Sequence, residues 1–361
     1  MRISGKQLFW MMMTMQIGMT VLLTINPSIR MAKQDAWIST LCATGIGVGI
    51  AYVCTRVSLV FPGQTLMSYA KSIFGRYLGQ GVAWLYFIYW YSVLAVILRQ
   101  YAEFIVATIL PRTPILVPIL GMLLVAVYVT YSGIEALARC CEMLGPITLL
   151  GIAIPVLLSM KNIHLDNILP IYADTGVKVI LQGALPTSTF LGDCMMLLIL
   201  LAFVSKPTSG VRPALLGVAI TGLVTSISTF LIVSVFGERT ASGQTYPYFN
   251  LVHYISYYDF FQNLDSFVVA IWIMSVFTKV SLYFFICTYG TALGLGVQKW
   301  RRLMGVVAPA AVLIAVIPRD FIESSVIFPQ KIAIPFFFPL YSVSLPLLMW
   351  GLAHWRQNRH K

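Results

Sequence analysis

Apolar residues run through this chain in long stretches, broken by short clusters of charge, glycine and proline. That pattern is neither the alternation of a half-buried strand nor the striped face of a water-facing helix. The runs predict membrane-length helices at about 8–29, 36–55, 80–109, 114–133, 143–160, 179–205, 213–237, 265–291, 303–318 and 334–355. The ninth is short. The second loop, Arg56 to Gly79, holds Phe61-Pro62-Gly63 and the apolar stretch Tyr69 to Phe74, which reads as an interfacial helix.

Composition turns this pattern into a fold class. Of 361 residues, 59% are hydrophobic and 10% charged, and the mean hydropathy is +0.85. A water-soluble domain carries about a quarter charged residues. Lipid tolerates no open sheet edge and the runs are too long for barrel strands, so the expectation is an all-α polytopic membrane protein of about ten spans. The chain reads as a single domain over 1–361, retaining its first span, because no small-residue cleavage site follows it.

The net charge of +12 does not indicate nucleic acid, because the basic residues are scattered over many short loops. With ten spans, most of the 24 lysines and arginines fall on the side of the N-terminus and most of the 12 acids on the other. Both termini are therefore expected to be cytoplasmic. Cys42, Cys54, Cys194 and Cys287 fall within spans and Cys140-Cys141 are adjacent, so neither a disulfide framework nor a zinc spacing is present. No metal or other cofactor is expected. The four histidines have no metal spacing and the chain contains no nucleophile elbow or phosphate loop, so an enzyme is not expected.

Ten spans divide into two halves of five, about 8–160 and 179–355, and an odd number per half forces the second into inverted topology if the halves are repeats. The first span of each half is interrupted. Span one carries Gln16-Ile17-Gly18 between Thr14 and Thr20 and ends near Asn26-Pro27; span six reads Gly183 through Pro186-Thr187-Ser188-Thr189-Phe190 to Gly192-Asp193. Such breaks are tolerated at depth only where they line a cavity, which places a candidate binding site at mid-membrane.

Four ionisable residues fall inside spans. Arg99 and Glu103 stand at i, i+4 on span three, on one face, and neutralise each other. Asp193 on span six and Lys279 on span eight are opposite in sign and near mid-depth, so a cross-helix pair facing the bundle interior is expected. The alternative is a snorkelling Lys279 and an Asp193 that caps the helix break. Aromatic residues crowd span three, from Trp84 to Tyr91, and packing accounts for most of them. In the loop after span seven, apolar residues at 248, 251, 252, 255 and 258 approximate helical spacing, giving either a lid or an interfacial anchor.

With Gln16-Ile17-Gly18, Gln34-Asp35-Ala36-Trp37, Phe61-Pro62-Gly63-Gln64-Thr65-Leu66, Arg99-Gln100-Tyr101-Ala102-Glu103-Phe104, Gly133-Ile134-Glu135 and Leu251-Val252-His253-Tyr254-Ile255-Ser256, the chain resembles the B subunits of spore nutrient germinant receptors. These belong to the amino acid, polyamine and organocation transporter superfamily. The resemblance implies a five-plus-five inverted repeat with broken first and sixth helices. It also implies location in the spore inner membrane, assembly with an A subunit and a lipoprotein C subunit, and sensing of a small nutrient such as an amino acid, sugar or nucleoside. Carried over by position, the site would involve Gln16, Gly18, Thr20, Thr187, Ser188, Thr189 and Phe190, with Tyr91 and Ser275 as walls. Where other members often have glutamate after the glycine of span six, this chain has Asp193, one methylene shorter. The competing reading is a proton-coupled amino acid permease working through Asp193 or Glu103.

Overall fold

A computed structural model describes residues 2–254 and 264–359. Apart from one isolated bridge between Ile3 and Val204, its regular structure is helical. The first helix, α1 (Gly5–Leu23), opens with a reciprocal cap: Ser4 Oγ accepts from the Gln7 amide, and Gln7 Oε1 from the Ser4 amide. From Met11 to Leu22 every residue of α1 is buried, so this helix is surrounded by protein, not lipid.

The chain continues through α2 (Ile25–Ala32), α3 (Ala36–Val60), the short α4 (Leu66–Phe74), α5 (Arg76–Thr108), α6 (Leu116–Ser132) and α7 (Ile134–Ser159). Then α8 (Gly176–Leu191) passes into a 3-10 stretch (Gly192–Met196), a single turn, α9 (Leu197–Leu200), and a second 3-10 turn (Leu201–Phe203). The long α10 (Pro207–Gly243), α11 (Pro247–Tyr254), α12 (Leu264–Leu295) and α13 (Met304–Ala315) follow. A last column winds as π-helix over Glu323–Ile327 and Pro329–Ser344 before α14 (Leu345–Arg359).

These elements form ten helical columns among the described residues, in the order expected. α4 is the interfacial helix of the second loop, and α11 is the helix of the loop after α10, with Tyr248, Leu251 and Val252 buried. The expected apolar positions 255 and 258 lie outside the described residues. The tenth column departs from expectation, since it begins near Phe321 and not at 334. Glu323, Pro329 and Lys331 gave its first half the look of a loop. Pro335 and Pro339 lack the N–H an α ladder needs and crowd the preceding turn, and the wider π winding accommodates them.

Packing between columns carries an internal two-fold relation. α1 packs along α10 as α8 packs along α3, and α6 lies on α12 as α13 lies on α5. Each contact joins members of the two halves and has a counterpart with the halves exchanged, as an inverted repeat requires. Seven helical stretches among the described residues are long and apolar enough to cross a bilayer by themselves. Their outward faces carry exposed large apolar residues, among them Ile88, Leu150 and Leu216, a surface suited to lipid and not to water. Many hydroxyls between the helices donate to the carbonyl one turn back, as Thr20, Thr44, Thr225 and Thr229 do, while those of Ser39, Ser188, Ser228, Ser281 and Thr288 are buried without a hydrogen-bond partner. The chain is a multi-pass membrane protein.

Candidate functional site

The first helix is interrupted at Thr24, not at Gln16–Gly18, which lie within regular α1. The cause is Pro27, which has no N–H to give to the Leu23 carbonyl, so the ladder stops there and restarts as α2. α2 is then held to the end of α10: Asn26 Nδ2 donates to the carbonyls of Ser242 (3.0 Å) and Gln244, and Arg30 Nε to Ser242 O (3.0 Å).

The sixth column is also interrupted, by tightening instead of unwinding. At Gly192 the α-helix becomes 3-10, and Gln16 Nε2 donates to the Leu191 carbonyl at 3.0 Å. A Cβ at Gly192 would meet Ser342 Oγ at 2.9 Å, so the tenth column seats on this point only because the residue is glycine. The two interruptions are joined by hydroxyls: Thr187 Oγ1 donates to Thr24 Oγ1 (3.0 Å), and Ser28 Oγ lies 3.3 Å from Thr187 Oγ1.

Between these breaks is a cavity of about 190 Å³. α2 lines it with Thr24, Asn26 and Arg30, and α5 with Tyr89, Val93, Val96, Ile97 and Gln100. The sixth column adds Thr189, Phe190 and Asp193, α12 adds Lys279, and the π-helical column closes the remaining side from Phe321 to Phe337. Most of its surface is apolar carbon. At its floor Lys279 Nζ is 2.6 Å from Asp193 Oδ2, with side chains 1% and 6% exposed. The ammonium also stands 5.1 Å from the centroid of the Phe190 ring. The expected cross-helix pair is therefore formed, and Lys279 does not snorkel.

Of the residues proposed from sequence, Thr189, Phe190, Asp193 and Lys279 line this cavity. The others do not. Gly18 packs against α12 and lines a separate small space: its amide donates to Ser275 Oγ at 3.0 Å, Ser275 Oγ donates to Thr14 O at 2.6 Å, and a Cβ on Gly18 would lie 2.5 Å from that hydroxyl. Gln16 is committed to Leu191 and Thr20 to the Gln16 carbonyl. Thr187 faces the hydroxyl cluster, and Ser188 Oγ is buried without a hydrogen-bond partner. Tyr91 bonds Thr291 at 2.9 Å on another face of α5. Tyr89, Val93, Ile97 and Gln100 follow helical spacing along the cavity face, and a residue two positions from Tyr89 points away from it. That spacing was the available signal for Tyr89 and Gln100. Asn26 was visible only as a helix breaker.

Arg99 and Glu103 form a second buried pair, with Arg99 Nε 2.6 Å from Glu103 Oε1. Its remaining capacity goes to the start of the tenth column: Arg99 Nη2 donates to Arg319 O (2.8 Å), and Ser324 Oγ to Glu103 Oε2 (2.6 Å). Gln100, beside them, reaches Ser324 O at 3.4 Å. This pair anchors one wall of the cavity without lining the cavity itself. Among the described residues no three His, Cys, Asp or Glu side chains converge as a metal site.

Comparison with known proteins gives a consistent picture. The model of one family, described as spore germination protein, matches residues 2–323. Spore germination protein KB of Bacillus subtilis (strain 168) is 24% identical over 369 residues, covering 100% of this chain and 96% of the relative. Spore germination protein YndE of the same organism is 25% identical over 337 residues, covering 91% and 90%. Among solved structures, a nucleobase-cation-symport-1 family transporter, in a closed conformation with bromovinylhydantoin bound, superposes with a TM-score of 0.61. That likeness covers 87% of this chain and 72% of the transporter at 12% identity. At that identity the likeness establishes the shared transporter fold.

Proposed function

The chain belongs to the spore germination protein family, and from that premise we propose that it is the membrane-embedded subunit of a nutrient germinant receptor. Its cavity between the two interrupted helices takes up a small nutrient: an amino acid, a sugar or a nucleoside. The observation that carries this reading is the cavity itself, lined by five columns and floored by a buried ion pair. Such a site is concave, largely apolar and furnished with a few convergent polar groups, as small-molecule sites are.

Binding there biases the bundle between conformations, because the cavity's walls belong to both halves of the repeat, about 8–160 and 179–355. The tenth column, seated on Gly192 at one end and on Arg99–Glu103 at the other, is the wall whose position an occupant most directly changes. The signal passes to an A subunit and a lipoprotein C subunit in the spore inner membrane. Both termini of this subunit face the cytoplasm, following the excess of basic residues on that side.

A coupled transporter is the second reading, supported by the fold shared with a symport-family protein. Proteoliposome flux separates the two. For a receptor, the purified chain binds the nutrient that its spores respond to, without gradient-driven accumulation. Saturable, gradient-driven uptake by the isolated chain would contradict the receptor reading.

A further inference from the structure

We infer that the Lys279 ammonium is a built-in counter-cation, which keeps the cavity floor electrically neutral so that a net-neutral occupant, uncharged or zwitterionic, binds without a metal cation. The inference concerns the same cavity as the proposed nutrient site, but it is tested on the cation alone.

Three observations carry it. The first is contact and burial: Lys279 Nζ lies 2.6 Å from Asp193 Oδ2, and the two side chains are 1% and 6% exposed. A carboxylate so far from water needs a positive partner, and here the partner is covalently part of α12, so no change of salt can dilute it. The second is the aromatic support of Phe190, whose ring face 5.1 Å from the ammonium adds to its stabilisation at this spot. The third is the charge inventory of the walls. Among the described residues the cavity is lined by three charged groups, Asp193, Lys279 and Arg30. Arg30 belongs to the far end, where its guanidinium is held on the Ser242 carbonyl. The floor thus sums to zero.

A metal cation drawn to Asp193 would stand next to the ammonium in a poorly screened interior, where like charges repel strongly. An occupant with net positive charge meets the same repulsion. A neutral or zwitterionic molecule does not, and its own dipole aligns with that of the pair.

The test uses the purified full chain in detergent and Na+ as the probe, with choline as the control cation at equal ionic strength. The wild-type melting temperature is expected to be the same in both salts within about 1 °C. Lys279→Met leaves Asp193 without its partner and is expected to melt about 3–5 °C higher in Na+ than in choline, as a protein that binds the added ion would. Asp193→Asn combined with Lys279→Met is expected to lose that difference. Saturable stabilisation of the wild type by Na+ would overturn the inference, and so would a folded Lys279→Met protein indifferent to Na+. If the single variant yields no monodisperse protein, recovery in the double variant supports charge compensation, and failure to recover refutes it. Since no nutrient enters the assay, its outcome is separate from that of the receptor reading.

Discussion

Glu103 accepts from Arg99 on its own helix and from Ser324 on the tenth column, so one side chain ties that column to α5. Glu103→Gln leaves the Arg99 guanidinium buried beside a neutral partner and is expected to cost about 3–5 kcal/mol of stability. Ser324→Ala removes one hydrogen bond to a charged group and is expected to cost about 1.5–3 kcal/mol. Thermal melting of the purified variants measures both, and equal melting temperatures for all three proteins would show that the anchor contributes nothing. The pair itself was legible in the sequence, as were Asp193 and Lys279, because an ionisable side chain at mid-span has few tolerable environments. The partners of Arg99 and Glu103 were not, since Arg319 and Ser324 lie in a segment whose hydropathy is that of a loop. The hydroxyls and the glycine assigned by position fared differently. Gly18 and Ser275 touch and bond each other, and Gly18 lines a small apolar space of about 20 Å³ with Tyr248 and Trp272. Small residues in membrane helices serve close packing as readily as binding, and sequence alone does not separate these uses.

At the scale of elements, Pro27 decides where the cavity lies. It withholds the N–H that Leu23 O requires, which puts the break at Thr24 and carries the cavity toward the end of the bundle away from the termini. Pro27→Ala restores that donor and is expected to mend α1 into α2, drawing Thr24 and Asn26 out of the cavity wall. The measurement is the nutrient response of spores carrying the variant, at unchanged protein level. A wild-type response would show that the interruption is dispensable. Nine of ten columns were legible as apolar runs, because twenty apolar residues in lipid have essentially one outcome. The tenth was half hidden by Glu323, Pro329 and Lys331. The existence of both interruptions was legible too, while their positions depended on backbone hydrogen bonding that composition does not reveal.

Across the whole molecule, the paired contacts of α1 with α10 and α8 with α3 make the two halves interdependent. The cavity lies where they meet, so an occupant touches both repeats at once. Pairing of helices this far apart in sequence could not be read from hydropathy, which orders spans along the chain and says nothing of their neighbours. The resemblance of motifs supplied that arrangement, and the fold shared with a symport-family transporter agrees with it.

Filling the cavity tests directly whether it receives the nutrient. Spores carrying Thr189→Trp, a side chain built to project into the 190 Å³ space, are compared with wild type in single-nutrient germination concentration curves at matched protein level. Tyr91→Phe, outside the cavity, serves as the control. The half-maximal nutrient concentration is expected to rise at least roughly tenfold for Thr189→Trp, a loss of about 1.4 kcal/mol in binding, and to stay unchanged for Tyr91→Phe. An unaltered curve for Thr189→Trp, or a shift confined to Tyr91→Phe, would place nutrient recognition elsewhere.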